Sequence, residues 1–278
     1  MVLRLTVLGD IHYSTAGAMD SSIVRQHAPL ILSRTLDQLV RRQSPPDLVI
    51  QIGDIVDGTG QTPEEARADL AKAVSLFDAG GLRWTWIPGN HDVLACGGKT
   101  HLMPYLRRPR PYGELVFGDD VVLLLDSALR QAYGRIDAEQ QAWLEERLEA
   151  HRDRRVFVFL HHVFDFSVEY EMYLENAEVI RPILCGSPAV KAIFMGHAHA
   201  HQIVSNNGVH EIVTGALTSW PLLFRDVEID ADSMRVRSVR VEAPAAVEAA
   251  AVAAHRNHPK PWRSEPYDQD FGGEFPLR

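Results

Sequence analysis

Short runs of consecutive apolar residues alternate along the chain with longer stretches in which apolar side chains recur every three or four positions. Val2 to Leu8, Leu48 to Ile52, Trp84 to Ile87, Val121 to Leu125, Val156 to Leu160 and Ala192 to Met195 are near-continuous apolar runs of strand length. This is the pattern of strands buried on both faces. Between them, Ser22 to Arg42, Pro63 to Ala79, Ala138 to His151 and Asn176 to Leu184 have helical spacing, with Thr62-Pro63 and Asp137 as start signals. Strand, polar loop and helix in that order predict an α/β architecture. Farther on, Ile203 to Ser205, Val209 to Val213, Phe224 to Ile229 and Met234 to Val241 read as shorter strands of an antiparallel meander. From Ala243 the chain becomes Ala-rich and helical through Ala254, then runs into a tail with Pro259, Pro261, Pro266, Gly272 and Gly273 that need not pack as a core.

Composition narrows the class. The chain has 278 residues, 46% of them hydrophobic and 23% charged, enough for one large domain or two small ones with a full core. No apolar run approaches the roughly 20 residues that span a bilayer. Met1 to Asp10 lacks the organisation of a signal peptide, so a cytoplasmic protein is expected. Cys96 and Cys185 are far apart and outside any CxxC motif, which argues against a disulfide framework or a thiolate zinc site. The net charge of −9 counts against a nucleic-acid surface, because phosphate affinity needs a basic face.

The 13 histidines are the unusual feature, and their positions matter most. Ligands of open α/β sheets bind outside the carboxyl ends of the strands. Just past those ends stand Asp10-Ile11-His12, Gly53-Asp54, Gly89-Asn90-His91-Asp92, His161-His162 and Gly196-His197-Ala198-His199. Five strand ends thus present carboxylate, imidazole or amide groups to one convergent site. In an extended segment residues two apart point the same way, so one such pair, Asp10-x-His12 or His197-x-His199, can grip one cation. A donor set without thiolates suits manganese, iron or zinc. About seven candidate ligands exceed the needs of one site, so two adjacent ions, divalent or of mixed valence, are expected, with Asp54 able to bridge them. Such pairs activate water and clamp both oxygens of a phosphoryl displacement.

The ordered set Asp10-x-His12, Gly53-Asp54, Gly89-Asn90-His91-Asp92, His161 and Gly196-His197-x-His199 resembles the calcineurin-like metallophosphoesterase superfamily, over about Val2 to Val241. The resemblance implies a four-layer α-β-β-α sandwich of two mixed sheets flanked by helices. It implies Asp10, His12 and His199 as ligands of one ion, Asp54 as the bridge, and Asn90, His161 and His197 as ligands of the other. His91 resembles the family's histidine that contacts the phosphate and protonates the leaving oxygen. Asp57 matches the carboxylate that orients that histidine in the protein-phosphatase branch, but Gly58-Thr59 stands where that branch has Arg.

Leu124-Leu125-Asp126-Ser127, Gly134-Arg135-Ile136-Asp137, Gln140 and Trp143-Leu144-Glu145 look like the class III cyclic-nucleotide phosphodiesterases and their bacterial relatives. Val163-Phe164-Asp165-Phe166 departs from relatives that carry Pro soon after the His161 position. The implied activity is hydrolysis of a small phosphodiester, cyclic nucleotide-like or glycerophosphodiester-like. A phosphomonoesterase shares the same metal core, while a nuclease or a non-catalytic scaffold fits less well.

The remaining features have plainer readings. His27, His101, His151, His210, His255 and His258 are expected to be structural or surface residues. His162 should point away from the site as a supporting residue, and His201 could face the site or cap its strand. Tyr13 and Trp220-Pro221 are read as rim packing, Cys96-Gly97-Gly98-Lys99 as an ordinary loop, and Arg107-Arg108-Pro109-Arg110 as a solvated basic face. A catalytic domain over residues 1–243 followed by a helix and tail over 244–278 is expected. Trp262, Tyr267, Phe271 and Phe275 raise the alternative that this tail caps the site or joins a homodimer.

Overall fold

The computed structural model describes residues 2–16, 23–164, 173–206, 208–257 and 272–277. Asp165 and Phe166, His258, and Trp262, Tyr267 and Phe271 of the tail lie outside the described residues. The strands are β1 (Leu3–Leu8), β2 (Leu48–Gln51), β3 (Trp84–Trp86), β4 (Gly113–Phe117), β5 (Asp120–Leu124), β6 (Arg155–Phe159), β7 (Val190–Met195), β8 (Gln202–Asn206), β9 (Val209–Val213), β10 (Leu223–Ile229), β11 (Ser233–Arg240) and β12 (Gly273–Pro276). The helices are α1 (Ala28–Val40), α2 (Pro63–Ala79), α3 (Asn90–Ala95), α4 (Met103–Leu106), α5 (Ala138–Ala150), α6 (Ala177–Gly186) and α7 (Pro244–Asn257).

Two six-stranded mixed sheets result, ordered β12-β11-β10-β1-β2-β3 and β4-β5-β6-β7-β9-β8. Strict alternation along the buried strands explains how they stack. Val122 and Leu124 of β5 and Phe157 and Phe159 of β6 face the first sheet, where they meet Leu5, Val7 and Ile50. Their neighbours Val121, Leu123, Val156 and Val158 face the opposite way, onto Leu144 and Leu148 of α5 and Ile180 and Leu184 of α6. The outer face of the first sheet packs on α1, α2 and the Ala246 and Ala250 side of α7. Residues of period two with both faces apolar therefore dictate four layers, helix, sheet, sheet and helix.

Local signals place most of the expected elements within a residue or two. The Thr62 hydroxyl accepts from the Glu65 N–H while the Glu65 carboxylate accepts from the Thr62 N–H, a reciprocal cap contributing about 1 kcal/mol. Asp137 caps α5 through the Gln140 N–H (2.8 Å). The helix expected from Ser22 starts only at Ala28, after a short 3₁₀ turn, because Pro29 lacks an N–H and fits only a first helical turn.

The expected meander is instead two separate hairpins. β9 pairs antiparallel with β8 but also parallel with β7 in the second sheet, whereas β10 pairs with β1 and β11 in the first. Every residue of β9 is buried, so the strand takes an interior place with a neighbour on each side. The end of the tail does pack: β12 extends the first sheet along Ser233 to Val236, and Phe275 and Leu277 reach the core between the sheets. β1, β2 and β3 run parallel to one another, as do β5, β6 and β7. The two sets of carboxyl ends meet where His161 Nδ1 lies 2.8 Å from the Ile52 carbonyl of the opposite sheet.

Candidate metal centre

Each motif residue is held by the backbone of a neighbouring motif. The loop after β1 is fastened to the loop after β2 by Ile11 and His12 N–H groups donating to the Asp54 carbonyl (2.8 and 3.0 Å). The His91 N–H donates to Asp54 Oδ1 (2.9 Å), and the His197 N–H donates to both oxygens of Asp10 (3.1 Å each). Gly53 has φ of +99°, and a Cβ there would lie 2.3 Å from His161 Nδ1. At Gly89 a Cβ would lie 2.1 Å from Asp54 Oδ1. Glycine is required at both because the carboxylate and the imidazole occupy the space that a side chain would take.

Side chains then converge in adjoining clusters. Asp10, His12 and His199 form one: His12 Nε2 and His199 Nε2 are 3.0 Å apart, with Asp10 Oδ1 3.5 Å from His199 Nε2. Asp10, Asp54 and His161 form the next, where His161 Nε2 lies 3.4 Å from Asp54 Oδ2 and 3.2 Å from Asn90 Oδ1. His197 joins His161 and His162, with its ring 4.9 Å from His161 and 4.5 Å from His162 between centroids. The structure therefore brings together Asp10, His12, Asp54, Asn90, His91, His161, His197 and His199.

Asp10 and His12 share a cluster, whereas His197 and His199 fall in different ones. His12 has φ of +50°, Asp54 +56°, His197 +62° and His199 +51°. These left-handed turns after the strand ends aim the side chains, and they separate His197 and His199 into different clusters. Each such conformation in a non-glycine residue costs of the order of 1–3 kcal/mol, a cost that recurs where function over-determines the backbone.

The electrostatics favour a cation. Burial pushes Asp54 up, but the His161 and His91 charges hold it well below the usual carboxylate range. Burial raises Asp10 as well, and His199 beside it brings it below its ordinary value. Burial and the neighbouring His161 charge lower His197 to about 3, leaving neutral nitrogens, and its Nε2 is buried without a hydrogen-bond partner among the described residues. Against burial, Asp54 and Asp10 raise His161 to about 9, so these carboxylates pull a positive charge to this spot. Donors held 2.0–2.2 Å from an ion sit about 3.0–3.5 Å from one another, the spacing of the His12–His199, His161–Asn90 and His161–Asp54 contacts. The residues present fit the dinuclear centre that the motifs imply.

Asp57 stands beside both His12 and His91. Its carboxylate clusters with the rings of His12 and His91, lying 3.3 Å from His12 Nδ1, and accepts from Arg25 Nε (2.6 Å) and the Thr59 N–H (2.9 Å). His91 Nδ1 meets the Asp57 main-chain carbonyl (2.9 Å). The Asp57 carbonyl thus holds the His91 ring, while its carboxylate lies against His12 and acts on His91 through space. The guanidinium paired with Asp57 comes from Arg25, in the turn before α1.

Asp92, the last residue of the Gly89-Asn90-His91-Asp92 motif, is a supporting residue that its type alone does not reveal. Fully buried, it accepts the N–H groups of Asp54 (2.8 Å), Val56 (3.0 Å) and Gly89 (2.9 Å), which ties the Asp54 loop to the Asn90 loop. His162 is buried as well, but it turns toward His197 rather than away, with Nδ1 2.9 Å from Ser127 Oγ. His201 accepts from the Gly215 N–H and belongs to none of the clusters. Tyr13 is part of the core rather than the rim, and burial pushes the Cys96 thiol up to about 12, leaving it inert at neutral pH. Lys99 is paired with buried Asp126 (2.6 Å), whose main chain is held by Gln140 at both N–H and C=O, the scaffold role expected of that segment. His151 sits on Glu114 and His210 on Ser205, away from the centre.

Comparison with known proteins agrees with this geometry. Residues 3–201 match the sequence profile of the family described as calcineurin-like phosphoesterase. The chain is 26% identical over 186 residues to 3',5'-cyclic adenosine monophosphate phosphodiesterase CpdA of Vibrio vulnificus, covering 64% of each chain. It is 29% identical over 201 residues to the protein of Arcobacter nitrofigilis named "Probable glycerophosphodiester phosphodiesterase GpdQ", covering 69% of this chain and 70% of that one. The match thus spans just under two thirds of the first relative's length. Among solved structures, a dimetal phosphatase from Danio rerio superposes with a TM-score of 0.74 at 16% identity, over 86% of this chain and 97% of that one, and shares the fold. With the profile covering most of the chain and the ordered motifs gathered at one edge of a two-sheet sandwich, the protein belongs to the calcineurin-like phosphoesterase family.

Proposed function

We propose that the chain is a metal-dependent phosphodiesterase acting on a small phosphodiester. The observation that carries this reading is the pair of adjoining donor clusters, Asp10-His12-His199 and Asp10-Asp54-His161, completed by Asn90 and His197. Asp10, His12 and His199 would hold one ion, and Asn90, His161 and His197 the other. Asp54, set against His161 and fixed by the His91 N–H, would be the bridge. Manganese, iron or zinc suits this thiolate-free set. Ions bound there supply Lewis acidity toward the phosphoryl oxygens and lower the pKa of water.

The protein's own groups do the rest. His91 is anchored through Nδ1 on the Asp57 carbonyl, leaving Nε2 for the leaving oxygen. Although burial opposes it, the Asp54 charge and the Asp57 carbonyl raise His91 above its ordinary value and so favour the imidazolium form. That form can donate the proton that an alkoxide leaving group needs. Asp57 and Arg25 keep His12 in one orientation, and Asp92 keeps the Asp54 and Asn90 loops in register. The names of the two curated relatives support a diester as substrate. Among the described residues no helix is long and apolar enough to cross a membrane. With free thiols at Cys96 and Cys185, we assign the protein to the cytoplasm. The catalytic unit is proposed to be residues 1–243, with 244–278 laid against it through α7 and β12.

The test is hydrolysis of bis(p-nitrophenyl) phosphate beside p-nitrophenyl phosphate by metal-reconstituted protein, followed by cyclic nucleotides and glycerophosphodiesters. Faster diester cleavage is expected; preference for the monoester would replace the reading with a phosphatase. A second expectation concerns His91→Ala. Turnover falls about 10²–10⁴-fold with metal content unchanged. The acid form of His91 predominates below its raised pKa, so wild-type activity declines as pH rises through that value, and the variant loses this alkaline limb. A variant with full turnover, or one that loses its metal, would remove His91 from the proton-donor role.

A further inference from the structure

Away from the metal centre, a cavity of about 590 Å³ opens between β3, the edge of the first sheet, and β4, the edge of the second. That volume lies within the roughly 300–1,000 Å³ of small-molecule sites. None of the metal-centre residues lines it. Its walls combine two kinds of group. Trp84, Trp86, Tyr112 and Trp143 supply aromatic surface, with Tyr112 and Trp143 tilted against each other at 5.0 Å. Arg83, Arg107, Arg108 and Arg110 supply four guanidinium groups in a chain whose net charge is −9.

The arginines are unequally neutralised. Arg107 is paired with Asp78 at 2.5 Å, and Arg110 lies 4.0 Å from Glu139. Arg108 and Arg83 form no ion pair among the described residues. Arg108 donates to the carbonyls of Trp86 and Pro111 (2.7 Å each) and to Thr85 Oγ1 (3.3 Å), all neutral oxygens. Its Nε is buried with no partner among the described residues. Asp126, the acid that acts on it through space, is already bound to Lys99, and burial lowers Arg108 to about 10. The Arg83 guanidinium rests on the Phe117 ring at 4.9 Å. A guanidinium drawn out of water without a counter-ion is costly unless an anion joins it. Aromatic faces suit the flat base of a nucleotide, and planar guanidinium groups suit its phosphate.

We propose that this cavity is a second ligand site, for a purine nucleoside monophosphate, with the base against Tyr112 and Trp143 and the phosphate on Arg83 and Arg108. The inference does not rest on the reaction assigned to the metal centre. Three of the five tryptophans line the cavity, so intrinsic fluorescence of the full chain reports its occupancy. Titration with AMP should give saturable quenching with Kd below about 1 mM, a weak but specific affinity. Adenosine and inorganic phosphate, each carrying half of the recognition, should bind at least about tenfold more weakly, a loss of roughly 1.4 kcal/mol. Arg83→Ala and Arg108→Lys should weaken AMP binding by a similar factor while diester hydrolysis in the absence of AMP is unchanged, and Asp54→Ala should leave the quenching intact. Quenching that is abolished by Asp54→Ala but not by the arginine variants would place AMP at the metal centre and overturn the proposal. Absence of saturable binding to the wild-type chain would overturn it too.

Discussion

Asp54→Ala is expected to lower kcat/KM for the diester by at least about a thousandfold, roughly 4 kcal/mol of transition-state stabilisation, with loss of at least one of two bound ions. Asp54 sits at the meeting point of the site: its carbonyl fastens the Asp10–His12 loop, its Oδ1 accepts the His91 N–H, and its Oδ2 faces His161. Only the carboxylate is removed by the substitution, so the backbone bonds to Ile11 and His12 can persist and the chain should still fold. Metal content by elemental analysis and melting by circular dichroism separate the two effects. A variant that keeps two ions and wild-type turnover would show that the bridge lies elsewhere, and Asp10, which belongs to both donor clusters, would be the next residue to test.

Asp92→Ala should act on stability first. Three backbone N–H groups, those of Asp54, Val56 and Gly89, would lose their acceptor in a buried place. At about 1–3 kcal/mol for each unsatisfied buried donor, less whatever an entering water restores, the loss should be about 3–5 kcal/mol. That stands at the upper end of single-residue effects. Asp92→Asn keeps one oxygen acceptor and should cost less than half as much. Urea unfolding of the three proteins checks the order, and a cost below about 1 kcal/mol for the alanine variant would mean that water replaces the carboxylate fully.

The candidate metal centre was legible in the chain because its candidate donors sit one to four residues past apolar runs, where residue type alone marks them. Asp10, His12, Asp54, Asn90, His161, His197 and His199 all stand at strand ends that the structure brings together. What residue type does not carry is direction. Asp57 lies in the right loop, yet its carboxylate lies against His12 while its carbonyl holds His91. Arg25 belongs to no motif; it reaches Asp57 because the 3₁₀ turn before α1 returns to the site. Asp92 carried a motif letter, but its task of collecting three N–H groups exists only once the two loops are adjacent. The fold divides in the same way. Alternation and caps are local and were readable, whereas the place of β9 beside β7 depends on a strand 14 residues or more away in the chain. The four residues of β12 are too few to show any period.

The four left-handed residues carry a consequence for how the site can change over evolutionary time. His12, Asp54, His197 and His199 must satisfy a donor requirement and a backbone requirement at once. Histidine, asparagine and aspartate tolerate positive φ better than other non-glycine residues, and all three offer a donor atom. Drift among those three types therefore keeps the loop shape while altering donor softness and charge, whereas glutamate, glutamine or a β-branched residue strains the turn even where its donor would serve. The backbone has in effect written a restricted alphabet at these positions, through which the centre can be retuned from one metal to another without the fold being redrawn.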